Sequence, residues 1–82
     1  MTCARVRLPR SLELLLRRQL EEAIEQANLG TFDGAVAKKY LIERVPQIDI
    51  AIELDCDRST ITRRVPEILR RIEQTAHQLN FI

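Results

Sequence analysis

A small all-α bundle of four or five helices, two of them forming a helix-turn-helix, is expected from this chain on three grounds. Its 82 residues contain only two Gly and three Pro, while Leu, Ile, Glu and Arg, good or acceptable helix formers, are abundant. Apolar residues recur at three- and four-residue spacing over most of its length, the period of one helix face. Between Gln47 and Val65, finally, a small residue, a turn residue and a branched apolar residue fall at the spacing of two short crossing helices.

The first element opens at Pro9 and Ser11, where the Ser11 hydroxyl serves as an N-cap. Leu12, Leu15, Leu16, Leu20, Ala23, Ile24 and Ala27 then form one stripe, with Arg17, Arg18, Glu21, Glu22 and Glu25 across from it. This is an amphipathic helix of about four turns. Asn28 and Gly30 suit its C-terminus. Asp33 caps a second helix carrying Val36, Ala37, Tyr40 and Leu41, which ends near Val45-Pro46 because the residue before a proline resists the α region. The third helix covers Ile48 to Leu54, with Asp49 and Glu53 on its outward face.

Asp57 is positioned to cap the fourth helix, which holds Ser59 and Thr60 in its first turn. Its stripe is Ile61, Val65, Ile68, Leu69, Ile72, Ala76 and Leu79. Pro66 lacks an amide hydrogen and crowds the Thr62 carbonyl, yet the stripe stays in phase across it. A kink is therefore favoured; the alternative is a recognition helix ending near Arg64 and a fifth helix from Pro66. There are no repeats or linkers, so residues 1–82 form one domain: an N-terminal amphipathic helix within 1–30 and a helix-turn-helix core over 33–79.

Ala51 stands four residues before Asp55 and ten before Ile61. A small side chain at the crossing lets the two helices approach, and Ile61 plugs the angle between them. Ile50, Leu54 and Cys56 complete this miniature core, a setting in which a small buried Cys is at home. Arg58, Ser59, Thr62 and Arg63 then face outward, where Arg pairs with guanine and Ser or Thr meets a base or phosphate. Thr60 in the first turn, Arg64 as a phosphate contact and Gln47 as a phosphate donor complete the candidate DNA-binding set. Charge supports this division. Arg58 to Arg71 holds five Arg against Glu67, a local +4, whereas Glu43 to Asp57 holds five acids against Arg44, a local −4.

The segment YLIERVPQIDIAIELDCDRSTITRRVPEILRRI carries a family resemblance. Residues 33–72 resemble the helix-turn-helix C-terminal domain of bacterial sigma factors, which reads the promoter −35 element, and similar segments of small phage and mobile-element regulators. The order is a helix with an aromatic near its end, a short link, an "IA" helix, a turn, and "S-T-I" opening a basic helix. The resemblance implies major-groove binding to double-stranded DNA by the helix that begins at Arg58. Three departures stand out. The turn residue is Asp55 where many such motifs have Gly, Pro66 lies inside the recognition helix, and nothing upstream resembles the core-polymerase-binding regions.

Other chemistries find no footing in the sequence. His77 is the single histidine, no Ser lies in a nucleophile context, and no Gly-rich phosphate loop is present, so no enzyme, metal site or cofactor is expected. Cys3 and Cys56 lack metal or disulfide-scaffold spacing, no apolar run approaches the ~20 residues of a membrane span, and no secretory signal opens the chain. The expected setting is the cytoplasm, without a membrane partner. Arg70 and Arg71 are accounted for by helical ion pairs with Glu73 and Glu67, and Lys38 and Lys39 by a solvated surface. The N-terminal leucines, Leu14 among them, either cover the core or form a homodimer interface. The acids of 43–57 and the net charge of +1 motivate a second reading, a helical module that docks RNA polymerase or another regulator without DNA.

Overall fold

The structure, a computed structural model, describes residues 10–81. Five α-helices follow one another: α1 (Arg10–Glu13), α2 (Arg17–Gln26), α3 (Thr31–Ala37), α4 (Gln47–Glu53) and α5 (Arg58–Gln78), with a π turn over Lys38–Ile42 extending α3. The expected all-α bundle is what forms. Pro9 and Cys3 lie outside the described residues.

The N-terminal stripe is divided between two helices rather than carried by one. Leu16 takes an extended conformation and breaks the helix, its N–H donating to the Gln19 side chain at 2.9 Å. Leu16 has no acceptor of its own, so the reciprocal half of a capping box is missing. Ser11 is not an N-cap. It lies inside α1, and its hydroxyl donates to Glu73 on α5 while Leu12 beside it is fully buried. Docking α1 on α5 requires the chain to change direction, and Leu14 and Leu16 are left exposed at the corner. Leu20, Ala23, Ile24 and Ala27 keep their expected inward face on α2.

Asn28 ends α2 in the left-handed region, with φ of 52°, and Gly30 follows at φ 93°, a conformation that a side chain rarely adopts. Gly30 holds the N-cap position of α3, so Asp33 is not a cap but an inward-facing residue of that helix. After Ala37 the ladder widens to the π pattern, with the Glu43 N–H reaching the Lys38 carbonyl at 3.1 Å. Tyr40 and Leu41 are buried on this turn. Arg44, at φ 58°, ends it before the Val45-Pro46 step is reached.

The helix-turn-helix has the expected frame. Ile50 and Ala51 of α4 face α5 and are buried, Ile61 is fully buried, and Leu54 and Cys56 pack at the edge of the core. The turn is a Schellman motif. Asp55 at φ 55° is the left-handed residue, the Cys56 N–H donates to Ala51 O at 2.9 Å, and the Asp55 N–H donates to Ile52 O at 3.2 Å. Asp57 occupies the N-cap position of α5, although its side chain makes no capping bond.

Helix α5 runs without interruption through Pro66, which faces solvent. Val65, Ile68, Ile72 and Ala76 continue from Ile61 as one buried stripe, with Leu69 packed at its margin. Helices α2, α3 and α4 all pack on α5. No helix among the described residues is long and apolar enough to cross a membrane.

Ala51 and Ile61 set the α4–α5 approach. Ile61→Ala should lower stability by about 2–5 kcal/mol and Ala51→Leu by about 1–3 kcal/mol, read from urea unfolding at constant slope.

Candidate nucleic-acid interface

The first two turns of α5 expose Arg58, Ser59, Thr62 and Arg63. Ser59 and Arg63 lie on the side of α5 away from the buried Ile61 and Val65, Thr62 flanks them, and Arg58, at the first position of the helix, is exposed as well. These four side chains line one open concavity of about 420 Å³. Neither Arg58 nor Arg63 has an ion-pair partner among the described residues. The two guanidinium groups therefore present their N–H forks to solvent, which suits a planar acceptor pair or a phosphate.

The remaining candidates are placed differently. Gln47, at the start of α4, accepts a hydrogen bond from the Thr62 hydroxyl at 3.1 Å, which ties the entrance of α4 to the exposed face of α5. With its oxygen occupied, the amide still has N–H donors to offer. Thr60 is half-buried and takes no part in the concavity. Arg64, expected to contact phosphate, is instead engaged by Asp33 through both Nε and Nη2, the Nε contact being 3.2 Å. Asp33 is the one buried charged residue among those described, and a carboxylate in that position requires such a partner. The hydrogen bond and the charge of Asp33 push the Arg64 pKa up, so this guanidinium stays ionised throughout the accessible range.

Asp33–Arg64 was hidden in the sequence because its partners are 31 positions apart. A signal did exist: Asp33 stands three and four residues before the core residues Val36 and Ala37, and so on their face of the helix. The distal arginines also find other arrangements. Arg70 pairs with Glu67 rather than Glu73, which instead accepts from Ser11. Lys39 is not simply solvated: it reaches Glu53 on α4 at 2.6 Å, a hydrogen bond that raises its pKa above the ordinary lysine value. No cluster among the described residues could hold a metal ion. Comparison of the chain with family models, with curated proteins and with solved structures finds no match.

Asp33→Asn removes the charge that holds Arg64 across α3 and α5. It should lower the urea midpoint with the slope unchanged, and by more than Arg17→Ala, which breaks only the exposed pair with Glu21. Equal midpoints for the two variants would show that the α3–α5 pair contributes no more than a surface contact.

Proposed function

We propose that this chain is a sequence-specific DNA-binding transcription regulator of the cytoplasm that lays the start of α5 in the major groove. One observation carries the reading. Arg58, Ser59, Thr62 and Arg63 converge on one exposed concavity at the N-terminal end of a helix-turn-helix second helix, and both arginines there lack an acidic partner among the described residues. The N-terminal residues of such a helix are the ones that reach base edges, while the preceding helix approaches the backbone. Arg63 and Arg58 are assigned to base or phosphate acceptors, Ser59 and Thr62 to shorter contacts, and the Gln47 amide to a phosphate oxygen. Arg64 acts indirectly, by holding α5 against α3.

The resemblance of residues 33–72 to the promoter-reading domain of sigma factors supports the same assignment. A single module of this size covers a short stretch of duplex. Its selectivity then depends heavily on the few side chains that reach the bases.

The test is fluorescence anisotropy with a labelled duplex library at two salt concentrations. Affinity should fall steeply as salt rises, since phosphate contacts release counterions. Arg63→Ala should cost roughly 1–3 kcal/mol on the selected sequence and relax preference at one position. Salt-independent binding, or a variant with unchanged affinity and preference, would refute the assignment.

A further inference from the structure

Given the DNA reading, on which this rests, we infer that Thr62 selects a base with an exocyclic amino group in the major groove, adenine or cytosine, and that Gln47 imposes the choice. Thr62 is exposed in the concavity it shares with Arg58, Ser59 and Arg63. A threonine hydroxyl has one hydrogen to donate and two lone pairs with which to accept. The Thr62 hydroxyl donates its hydrogen to Gln47 Oε1 at 3.1 Å. A carbonyl oxygen has no hydrogen to return, so Oγ1 keeps only acceptor capacity for a ligand. Phosphate oxygens, guanine N7 and O6 and thymine O4 are acceptors as well, and meet those lone pairs unfavourably. The donors on the major-groove edge are adenine N6 and cytosine N4.

The bond between the two helices survives contact with a duplex for a related reason. Gln47 is the first residue of α4, the helix that approaches the phosphates in a helix-turn-helix. Phosphate oxygens offer no hydrogen, so nothing on the DNA backbone replaces Thr62 as donor to the Gln47 carbonyl. Breaking the bond where water is excluded leaves that carbonyl unsatisfied, a larger loss than the bond itself contributes. The Gln47 N–H groups therefore go out to phosphate, and the Thr62 lone pairs to the groove. Ser59 differs. Its side chain has no hydrogen-bond partner among the described residues, so its hydroxyl rotates to donate or to accept and tolerates either kind of edge. Arginine only donates, so Arg58 and Arg63 call for acceptors. Thr62 is the one side chain of the concavity fixed as an acceptor.

The experiment is a coupling cycle between protein and DNA, measured on the full chain by fluorescence anisotropy. In the duplex selected by the wild type, each adenine in turn is replaced by purine, and each cytosine by a pyrimidinone that lacks N4. The replacement also weakens base pairing, but equally for every protein variant, so the cycle cancels that effect. At one position the wild type and Thr62→Ser should lose about threefold to tenfold more affinity than Thr62→Val. Gln47→Ala, which frees the Thr62 hydrogen, should weaken binding to all sequences and shrink the coupling. Far-UV circular dichroism of each variant verifies the helix content. Equal losses for wild type and Thr62→Val at every position would overturn the inference and leave the DNA reading standing. Coupling of Thr62 to guanine O6, read with an aminopurine that lacks it, would overturn it too, because a donating Thr62 needs the Gln47 amide reversed. Undiminished coupling in Gln47→Ala would do the same, since Gln47 would then not fix the hydroxyl. No salt-sensitive binding by the wild type would overturn the DNA reading and this inference together.

Discussion

The molecule depends on the buried edge of α5. Ile61, Val65, Ile68, Ile72 and Ala76 keep one line along a 21-residue helix, and α2, α3 and α4 each find their apolar partner on it. None of those three exceeds ten residues, a length at which an isolated helix is marginal in water. Their persistence therefore comes from packing. Pro66 interrupts the hydrogen-bond ladder of α5 on its solvent side but not the line of buried side chains. The same helix that organises the core thus begins with the exposed basic face, and its rotation decides where that face points.

Polar interactions refine this arrangement. Arg63 and Arg64 are neighbours with opposite fates: one faces solvent without an acidic partner among the described residues, the other is held by Asp33. The ion pair joins α3 to α5, the Thr62–Gln47 bond joins α5 to α4, and Lys39–Glu53 joins α4 to the π turn. Each link crosses between elements rather than running along one. Together they restrain how α4 and α5 sit on the preceding helices while leaving Arg58 and Arg63 available.

Much of this was legible in the sequence because periodicity and local spacing are short-range signals. The stripe of α5, the buried Ala51 and Ile61, and the left-handed Asp55 all follow from residue types and separations within a few turns. What escaped was long-range. Whether the leucines from Leu12 to Leu20 continue as one helix depends on docking against Glu73, far along the chain. Asp33 reads locally as a cap and becomes a buried ion-pair partner only once α5 is in place. The π turn has no local signature either, since Lys38 to Ile42 would serve equally well in an α-helix. Among the outward-facing residues, Arg58, Ser59, Thr62 and Arg63, grouped by spacing, line one concavity, but Arg64 was assigned by its charge and is claimed by a distant carboxylate.

The corners of the chain have a consequence for how it tolerates change. Asn28, Arg44, Asp55 and Asn80 all adopt left-handed backbone angles, at positions where many helical proteins use glycine. Arg44 bears this strain most fully, on the order of 1 kcal/mol above what glycine would require and offset in part by a stiffer unfolded chain, whereas Asn and Asp enter the region more readily. Stability is therefore held in reserve at the helix ends, away from both the core and the exposed faces. Glycine substitutions there give an evolving lineage a way to compensate for damaging changes on the basic face without touching a residue that faces a partner.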